Sequence, residues 1–249
     1  MITVRNIYKQ FRNNPVLKGV DLQIDDGSTT AIIGQSGCGK SVLLKTIVGL
    51  ITPEAGSITV DGQSVTGADR ETLEDIRSHF SYLFQGGALF DSLTVLENVA
   101  FPIVWGTKKT AEDDDVKSRV IEVLGMVGLK NVEYLKPSEL SGGMKKRAAL
   151  ARAVIKNPRY IFYDEPTTGL DPVMSANIDD LITGLKKELG LTSVVVTHDM
   201  ETVYRIADKI FMLYQGQVVF NGTPAQIKKC DNPIVQQFIN RRADGPIVV

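Results

Sequence analysis

Two short stretches of this chain could each hold a phosphate. The first, GQSGCGKS, runs from Gly34 to Ser41 and fits the spacing G-x-x-x-x-G-K-[ST]. Gly34, Gly37 and Gly39 let the backbone wrap an anion with its N–H groups turned inward. Lys40 would reach the β- and γ-phosphates of a nucleoside triphosphate, and the Ser41 hydroxyl would face Mg²⁺. Gln35, Ser36, Cys38 and Val42 complete the lining, and the helix start adds partial positive charge. Cys38, at that helix start, is expected to have a lowered thiol pKa and raised reactivity. The second stretch is LSGGM, Leu140 to Met144. Ser141 can donate its hydroxyl, and Gly142 and Gly143 permit close backbone approach. Alone, it reads sooner as a helix start capped by Ser141 than as a phosphate site. A pair of acids, Asp164 and Glu165, ends YIFYDE. Asp164 suits the Mg²⁺ shell, and Glu165 suits a general base that polarises an attacking water.

These residues need a frame, and the hydrophobic pattern predicts one. ITVRNIYKQF and VLKGVDLQI read as strands joined at NNP, and SITVDGQSV as a strand turning at Asp61-Gly62. TTAIIG is an apolar strand that runs into the first glycine loop, and KSVLLKTIVGL is the helix after it. HFSYLFQ, YIFYDEP and TSVVVTHD are further strands. From about Gly86 to Asn157 the pattern is helical, with Val116, Val120, Val123, Leu124 and Val127 at helical spacing. Ile178, Leu181, Ile182, Leu185 and Leu189 mark another helix. Alternating strands and helices, with continuously apolar strands, predict an α/β fold on a parallel sheet covered on both faces. Ligands on such sheets sit beyond the carboxyl ends of the strands, where Gly34, Asp164 and His198 all fall.

Bulk properties narrow the class. The chain has 249 residues, 43% of them hydrophobic, enough for a substantial core. A net charge of -1 gives no support for a nucleic acid as the main partner. Two cysteines without zinc-like spacing suggest neither a disulfide framework nor a zinc site, and fit a reducing compartment. The sequence shows no signal peptide and no apolar run near the ~20 residues that span a bilayer. Work at a membrane would go through a partner.

Five stretches stand in order: GQSGCGKS, LFQ at Leu83 to Gln85, LSGGM, YIFYDEPTTGLDP and VTHD. This ordered set resembles the ATP-binding subunit of ABC transporters over nearly the whole chain. The resemblance implies a P-loop NTPase fold with a parallel-sheet core, an antiparallel β subdomain and an inserted helical subdomain near residues 86–157. It implies ATP and Mg²⁺ as ligands. It implies a homodimer in which Ser141, Gly142 and Gly143 of one subunit cap the ATP held by the other, which would account for two phosphate stretches in one chain. By the same resemblance Gln85 touches Mg²⁺ or the water, Asp171 lies at the dimer interface, and His198 stands beside the γ-phosphate. Phe11 would stack on adenine, although a core phenylalanine fits its pattern too. Integral membrane permease subunits are the implied partners, at the cytoplasmic face of the inner or plasma membrane. Leu89, Phe90, Leu93 and Val95 either dock a permease helix or pack in the core.

Met144 departs from the family's usual glutamine and cannot hydrogen-bond as an amide does. LSGGM with the basic cluster and AALARA after it resembles the branch serving MCE/Mla-type lipid transport, with an MCE-type lipid-binding protein as a further partner. NPIVQQFINRRADGPI resembles that branch's C-terminal extension, about residues 231–249. The alternatives are another importer or exporter ATPase, for instance for amino acids, or a soluble ABC-type ATPase on nucleic acid or ribosomes. A P-loop small-molecule kinase would leave LSGGM, Gln85 and His198 without a role.

Overall fold

The computed structural model describes residues 1–247 and divides into two compact units, Met1–Phe80 with Thr192–Val249, and Ser81–Leu191. The predicted Asp61-Gly62 turn forms, and the turn expected at NNP falls at Arg12-Asn13, with Asn14 and Pro15 already in the next strand. β1 (Ile2–Phe11) and β2 (Asn14–Ile24) pair antiparallel from Ile2↔Ile24 to Phe11↔Asn14. β3 (Thr29–Ile33) is buried along its whole length and leads through the glycine loop into α1 (Lys40–Ile47). β4 (Ala55–Val60) pairs with β1 and turns into the short β5 (Gln63–Ser64), giving the antiparallel order β2-β1-β4-β5. α2 (Arg70–Ser78), capped by Asp69, ends this part.

The second unit opens with β6 (Phe80–Leu83), the neighbour of β7 (Tyr160–Asp164). Between them α3 (Val95–Val104), α4 (Asp114–Met126) and α5 (Gly142–Val154) pack on one another. α4 buries Val116, Val120, Val123 and Leu124, the positions its 3.6-residue period singled out. α3 starts with a Thr94–Glu97 capping box, and Asn98, wholly buried, donates to the carbonyls of Phe90, Leu93 and Thr94. α6 (Pro172–Leu189) closes the unit and ends at Gly190 in the left-handed conformation.

The chain then returns to the first unit. β8 (Thr192–Val196) pairs parallel with β3, α7 (Met200–Ile206) follows, and β9 (Lys209–Tyr214) pairs parallel with β3 on its other side. β10 (Gln217–Gly222) forms an antiparallel hairpin with β9. α8 (Pro224–Lys228) and α9 (Pro233–Ile239) pack Ile227 and Val235 into a cluster with Ala31, Ile33, Val203 and Met212. The segment after α9 is tied down: Gln237 donates to Ile247 O at 3.1 Å and accepts from Ile247 N at 2.7 Å. Val248 and Val249 lie outside the described residues. No helix among the described residues is long and apolar enough to cross a membrane.

Candidate nucleotide site

In the first unit, β3 and its neighbours decide the shape of the glycine loop. Gly34 has φ +146°, and a Cβ there would overlap the Leu213 carbonyl oxygen of β9 and stand 2.9 Å from Cys38 Sγ. Gly39 has φ +107°, and its Cβ would come within 3.0 Å of Leu17 Cδ2 on β2. Only glycine combines these dihedrals with such close approach. Gly39 caps α1 without a side chain, and the first turn of α1 holds no acid. The first N–H groups of the helix are therefore uncapped by side chains, and the dipole there is unopposed. Lys40 is buried and its ammonium donates to Gly34 O at 2.7 Å and Gln35 O at 3.0 Å, turned into the loop. Ser36 and Gly37 are exposed on the rim and Gln35 is half-buried. Ser41 is exposed on the first turn of α1 beside half-buried Val42. This loop suits an anion with several oxygens.

Cys38 corrects the expectation from its position. The thiol is buried, and burial pushes its pKa up; the Lys40 charge and backbone N–H groups pull the other way and lose. The desolvation of a thiolate outweighs the helix start here.

β8 places His198 next to this loop. Ile32 pairs with Val196, so Gly34 and His198 each lie two residues past partnered positions on adjacent parallel strands. His198 is exposed between two fastened neighbours. Thr197 N donates to Ile32 O, and Asp199 caps α7 through Glu201 N at 3.2 Å. Arg241 pairs with the same Asp199 carboxylate at 3.3 Å. Phe11 ends β1 with its ring 47% exposed, so it is not a core residue, and Lys9 Nζ lies 5.2 Å from the ring centroid.

In the second unit, Tyr160 to Tyr163 are fully buried and deliver Asp164 and Glu165 at the end of β7. Tyr82, on β6, donates its phenol to Asp164 Oδ2 at 2.9 Å. Burial and the Asp164 charge push the Tyr82 phenol strongly upward, so it stays a donor. Tyr82 was not among the residues singled out by motif; its place three residues before Gln85 on an alternating strand was the available signal. Glu165 has φ +50°, the left-handed region that costs a non-glycine residue of order 1–3 kcal/mol. It accepts from Thr168 Oγ1 at 3.1 Å. Gln85 is exposed two residues past β6, and its main-chain oxygen accepts from Lys146.

The LSGGM stretch is a capped helix start. Ser141 Oγ accepts from Met144 N at 3.3 Å, which leaves its exposed O–H free in direction to donate outward. The two glycines differ. Around Gly142 the nearest side-chain atom to a Cβ would be Leu170 Cδ2 at 4.0 Å, so its backbone is open to approach. Gly143 is buried against Met174, whose terminal methyl occupies the Cβ position. Asp171 is the N-cap of α6, accepting from Val173 N at 2.9 Å and Met174 N at 3.0 Å, and is exposed. Of the four apolar residues after Gln85, Val95 is wholly buried core and Leu89 and Leu93 are half-buried. Phe90 is 43% exposed and packs at a tilt against Phe101, centroids 4.8 Å apart, which packs likewise against the 74% exposed Trp105 at 5.1 Å. An exposed apolar row of this kind is uncommon on a protein without a partner.

In the second unit Asp164 and Gln85 each offer an oxygen donor of the kind that a hard Mg²⁺ takes, and in the first unit Ser41 offers its hydroxyl. Among the described residues no group of three His, Cys, Asp or Glu forms a metal cluster.

A sequence profile described as "ABC transporter" matches residues 17–168. The Haemophilus influenzae "Intermembrane phospholipid transport system ATP-binding protein MlaF" is 40% identical over 99% of this chain and 93% of its own. The Mycobacterium leprae "Probable ribonucleotide transport ATP-binding protein mkl" is 39% identical over 99% of this chain and 70% of its own. Among solved structures, the dimeric post-hydrolysis state of the ATP-binding cassette MJ0796 bound to ADP and Pi superposes with a TM-score of 0.79. It is 33% identical, covering 90% of this chain and 99% of its own. The chain belongs to the ABC transporter family as its ATP-binding, ATP-hydrolysing domain.

Proposed function

We propose that this chain powers a membrane transporter of phospholipid, working as a symmetric pair bound to permease subunits at the cytoplasmic face. The observation that carries the nucleotide role is the uncapped start of α1 behind Gly39, with Lys40 turned into the loop. In this reading the loop from Gly34 to Val42 holds the phosphates of ATP, and Phe11 stacks on adenine. Ser41, Gln85 and Asp164 hold Mg²⁺, which neutralises charge on the β- and γ-phosphates. Glu165 accepts a proton from the attacking water, and His198 donates to the γ-phosphate. Ser141 and Gly142 of one subunit close on the γ-phosphate of the other, with Asp171 at the interface; the exposed Ser141 hydroxyl and the open Gly142 support this. The dimeric ADP-bound relative supports it as well. The Phe90, Phe101 and Trp105 row supports a permease contact. The stretch 86–157 then serves as the helical subdomain, and the end of the chain from about residue 231 as an extension docked on β9.

Phospholipid as cargo rests on the relative named for phospholipid transport, which this chain matches almost end to end. A second reading, ribonucleotide as cargo, is favoured by the 39% identity to the relative so named, against 40% for the first. The chain co-purified with its permease and reconstituted into vesicles decides between them. ATP-dependent movement of labelled phospholipid to acceptor vesicles, with no uptake of labelled ribonucleotide, is the expected result. Ribonucleotide uptake without lipid movement would replace the first reading by the second.

A further inference from the structure

The helix that begins at LSGGM is fastened to the main chain beyond β6, all within the second unit. Lys146, on α5, is buried, and its ammonium donates to the Gln85 carbonyl oxygen. Arg152, further along α5, donates through Nη2 to Gly87 O at 2.6 Å and through Nη1 to Ala88 O at 2.8 Å. Between them Ala149 faces Gly87, where a Cβ would stand 3.2 Å from the Ala149 Cβ. Residues 146, 149 and 152 share one helix face. Two cations thus hold the carbonyls of Gln85, Gly87 and Ala88 in the loop after β6, and charge-assisted bonds of this kind are roughly twice as strong as neutral ones. Burial pushes the pKa of both cations down, and the Glu165 charge draws that of Lys146 partly back up, so Lys146 also lies in the field of that acid.

We propose that Lys146 is a positioning residue for hydrolysis: by gripping the Gln85 carbonyl it makes the Gln85 segment and the signature helix move as one piece. Arg152 grips the far end of the same segment. The inference rests on the role given to Gln85 above.

The test uses the full-length chain, with Lys146→Met and Lys146→Arg made alone and combined with Gln85→Ala. Steady-state ATP hydrolysis and thermal unfolding are measured on each. Lys146→Met is expected to lower kcat roughly 10- to 100-fold, the effect of one charge-assisted bond, with KM for ATP held within about twofold. Lys146→Arg is expected to restore most of the rate. In the Gln85→Ala background, adding Lys146→Met should change kcat by less than about twofold, because two residues acting through one position do not add. Should Lys146→Met not fold, Lys146→Gln, a donor without charge, takes its place in the same cycle. Multiplicative losses in the two backgrounds, or an Arg variant as slow as the Met variant, would overturn the proposal. Wild-type turnover in Gln85→Ala alone would overturn the role of Gln85, and the inference with it.

Discussion

Replacing Gly34 by alanine should disable nucleotide binding, whereas the same change at Gly143 should be tolerated. At Gly34 the new methyl meets the main-chain oxygen of Leu213 on a central strand, and φ is +146°. The dihedral alone costs about 1–3 kcal/mol for a residue with a Cβ. Forcing the loop off β9 adds about 1–3 kcal/mol of overpacking. Against a total stability of about 5–15 kcal/mol the variant still folds, but the relaxation falls on the loop. Lys40 bonds to Gly34 O, so the ammonium moves with it. At Gly143 the obstacle is the end of the Met174 side chain, and Gly143 lies in α5 with no positive φ. Methionine has three rotatable bonds and yields for less than about 1.5 kcal/mol. Thermal unfolding with and without MgATP reads both. For a chain of this size Gly34→Ala should unfold about 5 °C or more below wild type and gain nothing from MgATP. Gly143→Ala should stay within about 5 °C and keep its MgATP shift. A Gly34→Ala protein with the wild-type midpoint and the wild-type MgATP shift would refute the geometry argued for the loop.

Two more predictions concern single side chains. Glu165→Gln keeps size and hydrogen bonding but removes the base, so ATP binding should persist while turnover is lost and an ATP-bound dimer accumulates on gel filtration; normal turnover would remove Glu165 from that role. Because the Cys38 thiol pKa is raised, its thiolate is scarce near neutrality. Iodoacetamide should therefore label Cys38 slowly at pH 7, about tenfold faster per pH unit up through pH 9, and more slowly with MgATP present. A labelling rate that is already flat between pH 7 and pH 9 would mean a lowered pKa instead.

The strands that carry the chemistry were legible because they are fully buried and so continuously apolar. YIFYD and TSVVV form β7 and β8 as read, and the spacing of Val116 to Leu124 located α4. α2 escaped, since Ile76 is its one buried residue; its signals were the Asp69 cap and the Arg70–Glu74 pair. The β9–β10 hairpin, turning at Gln215-Gly216, lies outside any motif. Site residues were legible by type and spacing but not by environment. Helix position suggested a reactive Cys38, and burial reversed it. Period-two alternation could not tell a core Phe11 from an exposed one, nor place Val95 in the core. The Tyr82 bond to Asp164 and the Lys146 grip on Gln85 join residues 82 and 61 positions apart, so spacing could place Tyr82 on its strand but could not name its partner.

The central claim is that two phosphate motifs on one chain serve two different nucleotides in a symmetric pair. Mixing two inactive variants tests it. Lys40→Ala removes the cation at the β- and γ-phosphates, and Ser141→Arg fills the open face of the signature. In a mixed dimer one composite site takes both lesions, and the other joins an intact glycine loop to an intact signature. With subunit exchange demonstrated, the mixture should recover ATPase activity above either parent. It should also exceed a mixture of wild type with the double variant, once the activity of wild-type homodimers is subtracted, because those mixed dimers carry one lesion at each site. If the motifs served one nucleotide within each chain, the order would reverse: the single-variant mixture would stay inactive, and the wild type's own chain would remain active beside the double variant.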